Sequence, residues 1–536
     1  MNDALLAGWK RPLNSSLKEC MKSTELPLFY NANSILENNL THRPDKIALL
    51  SNGRILTFQE VANEANQVGN ALQAMGVRFG DRVGILAPDS AEWVTSFFGI
   101  IKVGAIAVCI NTLLQSHEYD YILRDSGLRV LIVHESLLPL IEPVRGEQHV
   151  IVIGQPQHPS DSAFADWIQP QPTQLTAVPT HRDDFCSLHY SSGTTGQPKG
   201  MFHAHKDYAL IAQNTGVELL GMTEQDCTFS VAKLFFVYGL GANLVMPWHV
   251  GASIVLYAGS PRLAVGILDT IERFKPTILI SVPTAYITQL VLKQMSERYD
   301  LTSLRLCLSA GEALPASVWQ QWKEATGLEI LDTIGCTETL HTFMANRPDD
   351  LRPGSSGKPS PGHEVKLVDD AGNEVADGEI GNLLVKSEST SLFYLHQYEK
   401  SRQTFRGEWL FTGDKYTRDA DGFYWHMGRA DDMFKVGGLW VSPVEVESVL
   451  LNHPAVLECA LVTQSDQQGM IKPKAYVRLH NGYQPSNNLL RTLLQHCGSQ
   501  LAAYKCPHWI EFVDDLPKTA TGKIQRFKLR RPAENS

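Results

Sequence analysis

Ten residues near the middle of the chain constrain its fold more than any other stretch: Ser191-Ser192-Gly193-Thr194-Thr195-Gly196-Gln197-Pro198-Lys199-Gly200. Glycines let backbone amides turn towards an anion, hydroxyls add donors, and Lys199 adds a cation. Such a loop suits a polyphosphate. It is not a Walker loop, because Lys199 stands between Pro198 and Gly200, without the Gly-Lys-Ser/Thr ending that motif requires. Nor is it a GxGxxG dinucleotide turn. On composition alone a solvated Gly/Ser/Thr linker remains open.

The flanking text alternates between short apolar runs and stretches of helical period. Ile55 to Phe58 reads as a strand edge and Phe58 to Met75 as a helix. Arg82 to Leu86 reads as a buried strand, Ala91 to Ile101 as a helix, and Ala105 to Ile110 as a further strand. The apolar stretch Trp93 to Leu114 is broken by Lys102, Asn111 and hydroxyl residues, so it reads as a buried helix followed by a strand, not a membrane span. Strand-like runs recur at 130–133, 150–153, 253–256, 277–282 and 304–308. This alternation predicts a parallel α/β sheet. Gln155 to Thr180, rich in Pro, Gln and Ser, reads as a surface loop. After Gly354 the text becomes β-rich, with a hairpin expected at Val365 to Gly372.

At 536 residues the chain calls for two or more domains. A polar segment, Gly428 to Asp432, separates β-like runs and marks a boundary. The expected fold is α/β: a large multi-layer domain with parallel sheets plus a β-rich part at 26–430, a hinge at 431–433, and a small mobile α+β domain at 434–536. Residues 1–25 read as a loosely attached extension. The tail is locally basic, with 12 Lys/Arg against 8 Asp/Glu in 434–536, while the whole chain carries a net charge of −10. That balance argues against a nucleic-acid binder. Nine cysteines without metal-ligand spacing, and an N-terminus without a signal-peptide pattern, point to reduced thiols and a cytoplasmic protein.

Two further motifs can carry phosphate chemistry. In Leu331-Asp332-Thr333-Ile334-Gly335-Cys336-Thr337-Glu338, a hydroxyl can meet phosphate and a carboxylate can meet Mg²⁺. A helix capping box is the bland alternative. In Phe411-Thr412-Gly413-Asp414, a carboxylate on a tight turn can accept from both ribose hydroxyls, though a lone Thr-Gly-Asp also suits a surface turn.

The loop SSGTTGQPKG, these motifs, the segment Gly428-Arg429-Ala430-Asp431-Asp432-Met433-Phe434-Lys435-Val436-Gly437-Gly438 and the closing Pro517-Lys518-Thr519-Ala520-Thr521-Gly522-Lys523-Ile524-Gln525-Arg526 together resemble the adenylate-forming superfamily of acyl-CoA ligases, peptide-synthetase adenylation domains and luciferases. The resemblance covers about residues 185–526, with the motifs in the family's order. It implies ATP bound by Ser191, Ser192, Gly193, Thr194, Thr195, Gly196, Lys199, Gly311, Glu312, Asp332, Thr333, Thr337, Asp414, Arg429 and Lys523, with Mg²⁺ on Glu338. It implies that Lys523 stabilises the adenylating transition state, that the small domain turns about Asp431, and that Lys435, Gly437 and Gly438 then line the second-step site and the pantetheine tunnel. Ile334 stands where many members have Tyr, so aromatic stacking on adenine is not expected there.

Peptide-synthetase domains hold the substrate ammonium with an aspartate in the stretch equivalent to Ala232 to Gly241, which here has no acid. A buried ammonium without a partner is costly, so an α-amino acid is disfavoured. That stretch, Ser309 to Pro315 and Ile334 to His341 are similar to the benzoate-CoA ligase branch. The likeness implies a flat aromatic acid held by Phe236, Tyr238, Ala242, Tyr286, Gly335 and His341, with Phe236 also beside the pantetheine path. The implied reaction is an AMP-forming aryl-CoA ligase using ATP, Mg²⁺ and CoA, with neither nucleic acid nor membrane as partner. Two other readings stand beside it: loading of a separate phosphopantetheinyl carrier protein, and a non-catalytic homologue that binds nucleotide or acyl ligand.

Overall fold

The computed structural model describes residues 20–530 apart from 52, 192–197, 293, 431, 437–438, 467, 469 and 519–523. Its centre is the helix Ala91–Lys102, which presents apolar side chains all round. Ser90 caps it by accepting from Trp93 N. Trp93 stacks on Phe97, and Phe98 stacks on Trp248 at 5.3 Å. Beside it runs Phe58–Ala74, opened by a capping box in which Thr57 and Glu60 exchange backbone and side-chain hydrogen bonds. The two helices touch at Gly99, where an added Cβ would lie 2.7 Å from the Ala65 carbonyl. Any larger residue would push them apart.

Two sheets enclose this pair. One has seven strands, in the spatial order Ser162–Ala163, His149–Ile153, Val130–His134, Arg82–Leu86, Ile106–Cys109, Phe185–Ser191 and Lys199–Ala204. All its pairs are parallel except the last. The other has nine strands, with Ile330–Gly335, Leu306–Ser309, Ile278–Ser281, Cys227–Ser230, Ser253–Val255 and Ile47–Leu50 as its parallel centre. Val83, Ile85, Ile132, Ile254, Ile278 and Ile280 share one core with the helices. Leu279, Cys307 and Ile330 point to a second core on the other face of the larger sheet, with Tyr286 and Trp322. This is the layered arrangement that the strand–helix alternation predicts.

A five-stranded antiparallel sheet follows, containing His363–Val368, Gly381–Ser387, Trp409–Arg418 and Tyr424–Arg429. The turn after Val368 is where the sequence places it. The arm paired with His363–Val368 is Gly381–Ser387, with a single bridge, Val368 to Glu374, at the turn itself. The segment 155–180, expected as loop, adds the edge strand Ser162–Ala163 and the helix Phe164–Ile168, whose Phe164 is buried. The polar composition there hides one apolar anchor. The extension expected to be loose is docked where it is described: Met21 N donates to Asn214 Oδ1, Ser23 N to Glu388 Oε2, and Arg182 to the carbonyls of Ser23 and Leu26.

The C-terminal part packs the helices Pro443–Leu451 and Asn487–Gln500 on the strands Val456–Ser465, Ile471–Leu479 and Trp509–Phe512. Its ionic centre is Glu447, which accepts from Leu461 N and from the guanidinium of Arg526 at 2.7 Å. Arg526 and Arg530 also reach Asp432, so this network ties the last described residues to the interdomain segment. Among the described residues no helix is long and apolar enough to cross a membrane, and all nine cysteines are free thiols. Removing one partner of a buried pair strands the other charge. Glu447→Ala is therefore expected to lower stability by about 3–5 kcal/mol in urea titrations that follow the C-terminal part, whereas a loss below about 1 kcal/mol would mark the network as surface-like.

Candidate active site

The site lies where the seven-stranded sheet, the nine-stranded sheet and the β-rich part meet. Strands Phe185–Ser191 and Lys199–Ala204 form an antiparallel hairpin with Ser191 opposite Lys199. The candidate residues Ser192, Gly193, Thr194, Thr195 and Gly196, between these strands in sequence, lie outside the described residues, as do Asp431, Gly437, Gly438 and Lys523. The ends of the hairpin are set by register: Leu395 N donates to Gly200 O, and Met201 bridges to Tyr394. Lys199 Nζ lies 5.1 Å from the centre of the Tyr394 ring. Burial lowers the Lys199 ammonium to about 8, against an upward pull from Glu338.

The second anchor is the turn Thr337–Thr339, which follows the strand Ile330–Gly335. At Gly335 an added Cβ would lie 2.4 Å from the His341 carbonyl, so only glycine fits this reversal. Leu340 completes it in the left-handed region, φ +66°. Four groups outside the turn hold it. Ser391 N donates to the Glu338 carbonyl at 2.7 Å, and Ser389 Oγ donates to the Thr339 carbonyl at 3.0 Å. The Tyr394 hydroxyl donates to Glu338 Oε1 at 2.7 Å. From the hairpin side, the ring of fully buried His203 lies between Asp207 Oδ2, 3.1 Å from Nδ1, and the Thr337 carbonyl, 2.7 Å from Nε2. The Thr337 carbonyl can only accept, so Nε2 donates to it and joins strand to turn.

The nucleotide candidates lie on the loop after Leu306–Ser309, on the strand Ile330–Gly335 and on the paired strands Trp409–Arg418 and Tyr424–Arg429. Gly311, φ +90°, starts the loop after Leu306–Ser309 and precedes Glu312. Thr333 Oγ1 donates to the Ser309 carbonyl. Asp332 is buried, with Oδ1 unpartnered among the described residues and Oδ2 3.5 Å from Leu314 N. Burial pushes its carboxyl up to about 8, so at neutral pH it is chiefly an acid that can donate. Asp414 and Arg429 face each other across antiparallel strands. Arg429 Nη1 donates to Asp414 Oδ1 at 3.2 Å and to the Thr412 carbonyl at 3.0 Å, and Gly413 leaves room for the guanidinium. These two candidates thus form an ion pair with each other. Lys435 stands exposed on the strand Phe434–Val436, where its charge helps to hold Asp370 below the ordinary carboxylate value after Asn382 and Lys415.

A set of aromatic and small side chains gathers on the helix-facing side of the larger sheet. Phe236 precedes the turn of helix Val237–Leu240. Its loop is pinned from both sides: Leu234 N donates to buried Asp89, and Lys233 donates to the Gly259 carbonyl. The Tyr238 hydroxyl donates to the Ser281 carbonyl, and the Tyr238 carbonyl accepts from His341 Nε2 at 3.3 Å. Gly241 lets that imidazole in: a Cβ there would come 2.4 Å from the ring. Burial lowers His341 to about 4, so it is neutral at pH 7, with Nδ1 an acceptor that has no partner among the described residues. Ala242 is fully buried in the same layer. Phe236, Tyr238, Ala242, Gly335 and His341 therefore come together. Tyr286 lies on the other face of the sheet, its hydroxyl donating to the Leu308 carbonyl and its ring edge-on to Trp322 at 4.7 Å. Sequence spacing after Pro283 does not say which face a side chain takes.

Sequence reasoning passed over Tyr394 and His203. Neither sits in a motif of its own. Only the pairing of distant strands brings them to Glu338 and Thr337. Among the described residues no cluster of three or more His, Cys, Asp or Glu could hold a metal unaided. The donor set here, one carboxylate beside a phosphate-type loop, fits Mg²⁺ carried on nucleotide oxygens.

The sequence model of the AMP-binding enzyme family matches residues 36–395, and that of the AMP-binding enzyme C-terminal domain matches 445–523. Benzoate–CoA ligase of Thauera aromatica is 43% identical over 514 residues, spanning 94% of this chain and 97% of that protein. The 4-hydroxybenzoate–CoA/benzoate–CoA ligase of Rhodopseudomonas palustris is 40% identical, spanning 91% of each. Among solved structures, the anthranilate CoA ligase AuaEII in complex with anthranoyl-AMP superposes with a TM-score of 0.92 at 61% identity, covering 95% of this chain and 98% of that one. A benzoate CoA ligase from Burkholderia xenovorans LB400 superposes with a TM-score of 0.87 at 39% identity, covering 94% and 100%.

A nucleotide held by this half-buried lysine would be captured in a pH-dependent way. In the free protein Lys199 is charged below about pH 8 and loses its charge above that value. A polyphosphate needs the cation, so kcat/KM for ATP is expected to be level below pH 8 and to fall above it, with that midpoint belonging to the free enzyme. Lys199→Arg, which stays charged, should remove the inflection. An inflection that survives in Lys199→Arg would assign it to another group.

Proposed function

This chain belongs to the AMP-binding enzyme family, and from that premise we propose that it joins an aromatic carboxylic acid to AMP and then passes the aroyl group to the thiol of CoA. The observation that carries this reading is a phosphate-type anchor, Lys199 and Glu338, beside a recess of Phe236, Tyr238, Ala242, Gly335 and His341 that contains no carboxylate to meet an α-ammonium. The relatives' names point to benzoate-type acids. Anthranilate is the first candidate, since the unpartnered Nδ1 of neutral His341 can accept from a ring amino group.

In the first step a carboxylate oxygen of the acid attacks the α-phosphorus. A bond forms between that oxygen and phosphorus, and the bond to the β-phosphate oxygen breaks, releasing pyrophosphate. The carboxylate is itself the nucleophile, so the protein need not supply a base. Lys199 meets the phosphates, and Ser191 with residues 192–196 and Thr337 supplies donors around them. Glu338 would hold Mg²⁺, which would supply fixed positive charge on the phosphate oxygens when bound. Gly311, Glu312, Asp332, Thr333, Asp414 and Arg429 would frame the adenosine. The Asp414–Arg429 pair opens to present its carboxylate to the ribose and its guanidinium to phosphate or ribose. Lys523 would stabilise the charge building on the phosphoryl oxygens.

In the second step the CoA sulfur attacks the acyl carbon, the thiol proton is lost, and AMP leaves. The domain limits we assign, 26–430, 431–433 and 434–536, make Asp431 the pivot about which the small domain would withdraw Lys523 and bring in Lys435 with Gly437 and Gly438, past Phe236. The protein would work in the cytoplasm.

Lys523→Ala is expected to cut adenylate formation by roughly 10²–10³-fold while sparing thioester formation from a supplied aroyl-adenylate. Rapid-quench assays of the two half-reactions check this, and equal losses in both would refute the division of labour. Run with CoA and with a holo carrier protein, the second half-reaction should favour CoA. Preference for the carrier protein would reassign the acceptor.

A further inference from the structure

The segment 389–397 connects the two anchors of the site, and one side chain stands between them. It joins the phosphate hairpin through Leu395 N to the Gly200 carbonyl, and the Glu338 turn through Ser391 N and the side-chain Oγ of Ser389. Gln397 Nε2 also reaches the Pro198 carbonyl at 3.5 Å. Tyr394 lies almost wholly buried at its centre. Its hydroxyl is 2.7 Å from Glu338 Oε1, its face carries Lys199 Nζ at 5.1 Å, and its ring packs on Phe405 at 5.2 Å. The backbone is fixed there as well, by Tyr394 N donating to Ser401 Oγ and by His396 in the left-handed region, φ +55°.

We infer that Tyr394 is a positioning residue for the metal–nucleotide complex: its hydroxyl fixes the Glu338 carboxylate by one oxygen, and its ring keeps Lys199 beside that carboxylate while preventing the two from collapsing into an ion pair. This inference rests on the reading of Glu338 and Lys199 as the nucleotide anchor. Opposite charges close together in a low-dielectric site attract strongly, and a lysine locked on Glu338 would be withheld from phosphate. The ring gives the ammonium a weaker resting place that it can leave when a polyanion arrives. Holding the carboxylate by a charge-assisted hydrogen bond removes its freedom to turn away before the metal comes.

Calorimetry of ATP binding, with Mg²⁺ and with EDTA, tests this without any acid substrate. Tyr394→Phe keeps the ring and its packing and deletes only the hydroxyl. The gain in ATP affinity that Mg²⁺ provides is expected to shrink about tenfold, while metal-free ATP affinity stays within about twofold. In a Glu338→Gln background that gain is already absent, and adding Tyr394→Phe should change nothing further, because both act on one contact. Tyr394→Leu removes the ring as well and should also weaken metal-free ATP binding, through Lys199. A full Mg²⁺ gain in Tyr394→Phe, or additive losses in the double variant, would overturn the inference. Silence of the wild-type protein with every aromatic acid in pyrophosphate release would overturn the proposed function instead, and would leave the nucleotide comparison standing.

Discussion

The site depends on keeping a cation and an anion close together in partly dry surroundings without letting them neutralise each other. Lys199 comes from the seven-stranded sheet and Glu338 from the turn after a strand of the nine-stranded sheet, and both meet Tyr394: the ammonium over its ring, the carboxylate on its hydroxyl. The surrounding structure fixes that separation. The antiparallel pairing of Phe185–Ser191 with Lys199–Ala204 sets the height of Lys199. The reversal at Gly335 and Leu340 sets Glu338. His203 ties the two by bonding the Thr337 carbonyl. This arrangement sets charge of both signs on one tyrosine before any ligand arrives.

The cluster of Phe236, Tyr238, Ala242, Gly335 and His341 follows the same economy. His341 enters only because Gly241 has no side chain, and it spends one ring nitrogen on the Tyr238 carbonyl. Burial keeps it neutral, so its other nitrogen offers an acceptor and not a charge. Phe236 sits on a loop gripped by Asp89 and Lys233, which positions an aromatic wall without a rigid helix beneath it. Across the domain junction, Asp432 is bound to Arg526 and Arg530. Those two arginines belong to the last described residues, so the same ion pairs tie Asp432 to the end of the described chain.

Much of this was legible in the sequence because the chemistry dictates residue types. The family was legible in the loop that ends at Lys199 and in the Thr337-Glu338 pair. The buried helix Ala91–Lys102 and the parallel strands around it followed from their apolar pattern. What escaped is set by register and by sheet face. Tyr394 is an ordinary tyrosine in Ser391-Leu392-Phe393-Tyr394 until Met201 pairs with it. Tyr286 suited an aromatic wall by its chemistry, yet it faces the core beyond the sheet, with its hydroxyl satisfied by Leu308. Phe164 anchors a helix inside a stretch whose composition reads as loop. The docking of residues 20–26 depends on Asn214, Arg182 and Glu388, whose side chains converge only in the folded chain.

The most direct test of the account is to trap the intermediate it requires. The purified protein is mixed with MgATP and anthranilate in the absence of CoA, quenched within a single turnover, and analysed by mass spectrometry alongside pyrophosphate. The account predicts anthraniloyl-AMP in amounts close to the enzyme, with one pyrophosphate released for each and thioester appearing only when CoA is added. Formation of ADP and phosphate in place of AMP and pyrophosphate, or an adenylate that forms with aliphatic acids and with no aromatic one, would contradict it.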